Sequence, residues 1–254
     1  MIKGYTQACR VFDDEAFLHT AIKNADFLLK NAIAANGEMT RNYKNGRSSI
    51  NALLDDYAFT IAAFIELYQA SFDEKWLAEA NKITGYTLEH FFDPASKMFF
   101  YTHNQYADLI SRKMELSDNV IPSSNSEMAK NLFLLGHFFS NENYISMAKQ
   151  MLVNVEQEVQ RNIYFYSNWG ILQAWFSSPL YEVAITGNDL KNKRREFDRH
   201  YLPNVILLGG KAGGSLALLE NKWVPDQTTI YVCRDKTCKL PVQEVEKALQ
   251  QIIQ

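Results

Sequence analysis

An acidic or amide residue followed by Glu, with an aromatic three positions on and Leu or Ile four positions on, occurs three times in this chain. The copies are Asp14-Glu15-Ala16-Phe17-Leu18, Asp73-Glu74-Lys75-Trp76-Leu77 and Asn141-Glu142-Asn143-Tyr144-Ile145. Asp and Asn cap helix N-termini because their side chains accept hydrogen bonds from the otherwise unpaired first-turn amides. Recurrence at roughly 60 residues is the length of two helices and their connections, so the chain is expected to be a stacked array of helical hairpins. Phe17, Trp76 and Tyr144, which recur with the hairpins, are assigned to packing. Such arrays host sugar-processing enzymes and passive binding scaffolds alike, so the repeat does not fix the chemistry.

Periodicity fills in the elements. A helix runs to about Phe12, and a second from Glu15 to about Ala34 carries Leu18, Ile22, Ala25, Leu28 and Leu29 at helical spacing and ends at Gly37. Glu38 to Tyr43, with Asn45-Gly46 after it, reads as a short hairpin. Further helices are expected at about 53–70, from the Asp73 cap to about Phe92 where Asp93-Pro94 stops it, and at about 123–139, 143–160 and 163–176. A short extended piece covers Lys97 to Thr102, before a long loop through Asn119. Inner and outer helices alternate. After Pro179 the strand-like runs 181–185, 204–208 and 229–233 alternate with helical or glycine-rich segments and precede a last helix from about Gln243. This pattern predicts a small α/β subdomain over 179–254, with a parallel sheet, beside a helical domain over 1–178. Gly209 to Ser215 is rich in glycine, yet its spacing matches neither the phosphate-loop nor the dinucleotide-binding pattern and reads as a turn.

Composition excludes several classes. With 254 residues, 47% apolar and 22% charged, disorder is not suggested. There is no apolar run of the roughly 18 residues a membrane helix needs, and no signal-peptide pattern at the start, so a cytoplasmic location is expected. A formal charge of −3 gives no footprint for nucleic acid. The one basic cluster, Lys191-Asn192-Lys193-Arg194-Arg195, reads as a solvated helix face.

Three blocks, Leu54-Asp55-Asp56-Tyr57-Ala58-Phe59, Glu115 to Asp118 leading into Pro122-Ser123-Ser124-Asn125-Ser126, and Tyr231-Val232-Cys233 through Cys238-Lys239-Leu240-Pro241-Val242, carry a family resemblance in their order and spacing. The chain resembles the C-terminal part of the YyaL-type, thioredoxin-domain-containing family that includes spermatogenesis-associated relatives. That resemblance implies a mainly α fold, a partial (α/α) toroid related to N-acylglucosamine 2-epimerases and six-hairpin glycosidases, with the α/β subdomain at its end. It also implies that a thioredoxin-like domain, the first toroid helices and the family's upstream His-Phe-Glu-Lys-Met-Leu-Tyr-Asp-like and Asp-Ala-Asp-Ser-like motifs are missing. About seven toroid helices are legible where a ring of six hairpins needs twelve. Either the polypeptide is a fragment, or a second copy or partner chain covers the open edge.

In such a toroid, loops at one end of the inner helices line a concave pocket. Asp55, Asp56 and Tyr57 begin one inner helix; Ser123, Ser124 and Asn125 begin the next; the loop before it carries Glu115 and Asp118. Carboxylates around a sugar can serve as general acid and base, so Asp56, Glu115 and Asp118 are the candidate catalytic groups. Asp55, Tyr57, Ser123, Ser124, Asn125 and Trp169 are the candidate saccharide contacts. The competing reading makes Asp55 and Ser123 helix caps and has Glu115 or Asp118 satisfy loop amides. Tyr101, Tyr106 and Trp175 could also stack on sugar faces, although aromatics at helical spacing are more often core.

No metal site and no cofactor are expected, because His19, His90, His103, His137 and His200 are scattered without a neighbouring Cys. His103 could reach a pocket, whereas His137 lies among apolar neighbours and reads as structural. Cys233 and Cys238 lack C-x-x-C spacing; a disulfide across a turn and two reduced thiols both remain open. Two functions stand: a carbohydrate-related domain, part of an epimerase or glycoside hydrolase, incomplete alone; and a non-catalytic ligand-binding or interaction scaffold coupled to a thioredoxin-like domain.

Overall fold

The computed structural model describes residues 1–105, 111–178, 180–210 and 214–252. Tyr106, Pro179 and residues 211–213 of the glycine-rich stretch, on which expectations above fall, lie outside the described residues.

Among the described residues, seven helices form the first part: α1 (Ile2–Phe12), α2 (Glu15–Asn31), α3 (Leu54–Ser71), α4 (Lys75–Phe91), α5 (Ser124–Phe138), α6 (Glu142–Arg161) and α7 (Ser167–Ser177). The three repeat copies sit at the α1–α2, α3–α4 and α5–α6 turns and work in the same way. Asp14 Oδ1 accepts from Ala16 N at 2.8 Å, Asp73 Oδ1 from Lys75 N at 3.1 Å, and Asn141 Oδ1 from Asn143 N at 3.1 Å and Tyr144 N at 3.3 Å. The residue just before each cap, Asp13, Phe72 or Ser140, is left-handed with φ of 52°, 56° and 52°. One left-handed residue followed by one capping residue therefore reverses the chain and starts the return helix. The repeat aromatics pack as expected: Phe17 stacks near Tyr5, Trp76 lies against Phe64, and half-buried Tyr144 donates to Asn81.

Burial separates two layers. α3 and α5 bury almost every position, whereas α2 and α6 bury one stripe each, Leu18, Ala21 and Ala25 in the former and Ala148, Met151, Val155 and Val159 in the latter. α1, α3, α5 and α7 touch in succession as an inner row, with α2, α4 and α6 outside. At the α5–α6 contact a Cβ on Gly136 would stand 2.5 Å from Ile145 Cγ1, so glycine permits the close approach. The fold is mainly α, a partial (α/α) toroid with seven helices among the described residues.

Irregular segments join the hairpins. The stretch expected as a hairpin at 38–46 is held by isolated bridges, Ile33 with Met39, Thr40 with Asn51 and Lys44 with Arg47, instead of a continuous ladder. β1 (Phe92–Asp93) and β2 (Met98–Phe99) pair antiparallel across the turn that ends α4.

Strands β3 (Tyr181–Thr186), β4 (Val205–Gly210), β5 (Thr229–Arg234) and β6 (Thr237–Cys238) form a sheet in the order β4-β3-β5-β6, accompanied by α8 (Leu190–Asp198) and α9 (Val245–Ile252). The sheet corrects the parallel expectation: β3 and β4 are parallel, but β5 runs antiparallel to β3, and β6 antiparallel to β5. One face, with Val183, Ile185, Leu207, Ile230 and Val232, packs under α8 and α9. Ala184, Ile206 and Leu208 on the opposite face join the core of the helical part. Edge strand β4 is covered by α3, since Leu207 N donates to Gln69 Oε1 at 3.0 Å and Gly209 N to the Tyr68 hydroxyl at 3.4 Å.

The basic cluster is a solvated face only at Lys191 and Asn192; its arginines turn inward. Arg194 is 1% exposed and pairs with Asp198, which also accepts from Arg10 Nε at 2.6 Å, while Arg195 reaches Asp13 and Glu15 at 3.0 Å each. It clamps α8 to α1 and to the first hairpin turn. Cys233 and Cys238 face each other in the β5–β6 register and are disulfide-bonded, closing a turn in which Asp235 and Lys236 are both left-handed, the conformation a two-residue hairpin loop requires.

Candidate functional site

The N-termini of α3, α5 and α7 meet the long loops at one end of the inner row. Residues Glu115 to Ser123 are fastened there by side chains expected to bind ligand. Asp118, 6% exposed, accepts from Ser123 N and Ser126 Oγ through Oδ1, and from Asn168 N through Oδ2, all at 2.8 Å. One carboxylate thereby ties the starts of α5 and α7 together. Ser123 caps α5, accepting from Ser126 N at 3.2 Å and donating to Leu116 O at 3.0 Å. Asn125 acts as a strand substitute: Oδ1 accepts from Phe99 N at 2.8 Å, and Nδ2 donates to Phe99 O at 2.9 Å and Glu115 O at 3.0 Å. Ser124 N donates to Glu115 Oε2 at 3.0 Å.

These contacts correct several expected ligand contacts. Ser123, Ser124 and Asn125 are buried with no more than 1% exposure. Trp169, fully buried, packs in the core with its indole N–H on Leu116 O at 2.8 Å, so it is not a pocket wall. Tyr57 is buried as well, its hydroxyl accepting from Met39 N at 2.9 Å and its ring stacked on Tyr86. Burial leaves none of them a face for a solute. His103, expected to reach a pocket, is 2% exposed, with Nε2 at 3.0 Å from the Tyr86 hydroxyl. Burial and the neighbouring His90 hold its imidazole below the ordinary histidine range.

Asp55, Asp56, Tyr101 and Glu115 keep contact with solvent. At α3 the capping carboxylate is Asp56, not Asp55: Asp56 Oδ2 accepts from Leu53 N at 2.9 Å, with Arg41 Nε at 3.4 Å. Burial lifts the Asp56 carboxyl above the usual range, helped by Asp55 and opposed by the Leu53 amide and Arg41. Asp55 accepts from Asp56 N at 2.9 Å and holds the Tyr101 hydroxyl. Burial first, then Asp55 and Glu115, push the Tyr101 phenol up to about 12. Tyr101 is pinned by backbone bonds in both directions, from Leu54 N at 3.0 Å and to Lys113 O at 2.8 Å. Asp55, Tyr101, Glu115 and Arg41 thus form one electrostatic cluster over the starts of α3 and α5.

Below that cluster lies a second polar group absent from the expectations. Glu127 and Lys130, 3% and 8% exposed, sit one turn apart on α5. Lys130 Nζ is 3.3 Å from Glu127 Oε2 and 2.8 Å from Asn168 Oδ1; Asn168 Nδ2 donates to Glu127 Oε2 at 3.0 Å; Lys3 on α1 stands 3.6 Å from Glu127 Oε1. Burial works against the Glu127 charge, yet Lys130, Lys3 and the hydrogen bonds outweigh it, and the carboxyl lies below its ordinary range. Burial likewise lowers the Lys130 ammonium more than Glu127 raises it. In the sequence the pair shows only as two opposite charges three residues apart, an ordinary helix-surface spacing, amid the polar Ser124, Asn125, Ser126 and Asn131. Among the described residues, no group of three or more His, Cys, Asp and Glu side chains could hold a metal ion, and no helix is long and apolar enough to cross a membrane.

No protein-family model matches the chain. The human spermatogenesis-associated protein 20 is 23% identical over 267 residues, covering 96% of this chain and 34% of the relative; the mouse protein of that name is 24% identical over 275 residues, covering 99% and 35%. The chain spans about a third of the length of these curated relatives. Among solved structures, a GH76 α-mannanase from Bacteroides thetaiotaomicron superposes with a TM-score of 0.54 at 17% identity, covering 69% of this chain and 49% of that one. A D-mannose isomerase gives 0.50 at 16%, covering 62% and 39%. The likeness to these structures is one of fold, that of an (α/α) toroid.

Proposed function

We propose that this chain supplies one wall of a saccharide-handling toroid, with Asp56 as proton donor, Glu115 as proton acceptor, and Asp55 and Tyr101 as contacts to sugar hydroxyls. The observation that carries the reading is the convergence of Asp55, Tyr101, Glu115 and Arg41 over the starts of two inner helices, beside a carboxyl held above its ordinary range by burial. Asp118, Tyr57, Ser123, Ser124, Asn125 and Trp169 serve by holding that wall in place. Residues 1–178 are the ligand-bearing unit in this reading and 179–254 a brace. Exposed apolar residues in the short turn before α7, Tyr164 at 91% and Phe165 at 58%, support a second copy or partner chain completing the ring.

A second reading, a non-catalytic binding scaffold, is favoured by the commitment of Asp56 and Glu115 to the amides of Leu53 and Ser124. Thermal stabilisation by mannose, glucose and N-acetylglucosamine tests both. A rise in Tm lost in Asp56→Asn and Glu115→Gln, together with turnover of the stabilising sugar, supports the enzyme. Stabilisation without turnover supports the scaffold. An unmoved Tm across the panel refutes saccharide binding by this chain.

A further inference from the structure

Asp14, Asp73 and Asp93 each fold a turn by accepting from the amide two residues on, Ala16 N at 2.8 Å, Lys75 N at 3.1 Å and Ala95 N at 3.2 Å. At residues 103–105 the same bond is made by an imidazole: His103 Nδ1 accepts from Gln105 N at 3.0 Å. A ring nitrogen that accepts from a backbone N–H carries no proton, so this histidine is neutral and its proton sits on Nε2, 3.0 Å from the Tyr86 hydroxyl. Asn104 N donates to His90 O at 3.0 Å, which ties the turn to the last turn of α4. His90 also stacks on His103, with ring centroids 4.4 Å apart and 21° between their planes. A carboxylate turn keeps its acceptor down to strongly acidic pH, whereas an imidazole turn loses it within the range where histidine titrates.

The surroundings hold the ring neutral. His103 is 2% exposed; Tyr86 and His90 face it from α4, Glu38 from the segment between α2 and α3, and Arg112 from the stretch leading to α5. Burial first, then His90 and Arg112, oppose a charge on the imidazole, and Glu38 favours one; the balance lies below the ordinary histidine range. The turn begins two residues beyond Tyr101, and the intervening Thr102 O accepts from Arg112 Nη2. We propose that His103 is a proton-operated latch: neutral, it holds residues 103–105 on α4 beside Tyr101; protonated at Nδ1, it meets the Gln105 N–H donor to donor and releases them. The latch is fully closed above the unfolded histidine value of about 6.5 and opens as pH falls through the lower folded value. It operates whatever the cluster of Asp55, Tyr101 and Glu115 binds.

The test is nitrogen-detected NMR of the full chain, labelled in its histidines and backbone, from about pH 8 to about pH 4. Expected on His103 are a bare Nδ1 and a protonated Nε2 at neutral pH, and a ring titration below about 6.5. The Gln105 amide should shift with the same midpoint and lose at least tenfold in its hydrogen-exchange protection factor. His103→Asn places an Oδ1 acceptor where Nδ1 stood, so the Gln105 amide should stay protected and stop titrating. His103→Leu removes the acceptor, and protection there should be low at every pH. A proton on Nδ1 at neutral pH, a Gln105 protection factor unchanged across the His103 titration or following His90 instead, or a titration that survives in His103→Asn would overturn the latch. Should the variants fail to fold, the wild-type ring and amide titrations still decide.

Discussion

Replacing Lys130 by Met keeps most of the side-chain volume and removes one partner of the buried pair. Truncating one member of such a pair costs roughly 3–5 kcal/mol, because the other charge is left desolvated. Two contacts soften the loss here. Asn168 Nδ2 still donates to Glu127 Oε2 at 3.0 Å, and Lys3, 46% exposed in its side chain, still faces Oε1 at 3.6 Å; an exposed partner of that kind contributes only about 0–1 kcal/mol. The expected destabilisation is therefore about 3 kcal/mol, or a fall in Tm of about 6–12 °C for a chain of this size. Urea unfolding should show it as a lower midpoint at constant slope. Glu127→Gln in the Lys130→Met background should return about 2 kcal/mol, since the orphaned charge is then gone. The Glu127 carboxyl lies below its unfolded range, so its stabilisation is present above an unfolded pKa of about 4.3 and is lost as pH falls through the folded value. The difference between wild type and Lys130→Met should be largest at neutral pH and close on acidification. A midpoint within about 0.5 kcal/mol of wild type, or a gap that widens in acid, would refute the reasoning.

Gly136→Ala gains about 1 kcal/mol of helix propensity but drives a methyl into Ile145, so a net loss of about 1–2 kcal/mol is expected in calorimetry; a more stable variant would show that the α5–α6 contact relaxes freely. Asp56→Asn weakens the capping box by about 1 kcal/mol. Because the Asp56 carboxyl is raised, its favourable contribution is fully present below the unfolded pKa and is lost as pH rises through the folded one, so the gap to wild type should shrink from pH 3 to 7; a growing gap counts against it. Cys238→Ser opens the β5–β6 clasp and should cost at most about 2 kcal/mol, as expected for so short a loop, with wild type and variant converging under reducing conditions.

The hairpins were legible because their causes are local: cap, left-handed residue and aromatic all lie within six positions, and no distant contact is needed to place Asp14, Asp73 or Asn141. The strand runs were legible for the same reason. Their pairing was not, since the antiparallel choice of β5 depends on how residues 187–228 route the chain. Trp169 and Tyr57 mislead because a polar tip on an aromatic ring reads alike whether it meets a ligand or a backbone group. Arg194 and Arg195 look solvated until Asp13, Glu15 and Asp198 are folded against them. Of the proposed site, Asp55, Asp56 and Glu115 stand out in the sequence through their position in the first turn of an inner helix or in the loop before one. The buried pair was not, because its third member, Asn168, is 41 residues from Glu127 in the chain.

The inner helices all point the same way, since each is separated from the next by one returning outer helix, and Asp118 bonds the first turns of α5 and α7 with a single carboxylate. Their peptide dipoles consequently add side by side, each placing about half a positive charge at that end. Three carboxylates, Asp55, Glu115 and Asp118, stand where this field is strongest. Neutralising any one of them leaves uncancelled positive potential, so an amide variant there should begin to attract anions that the native protein repels.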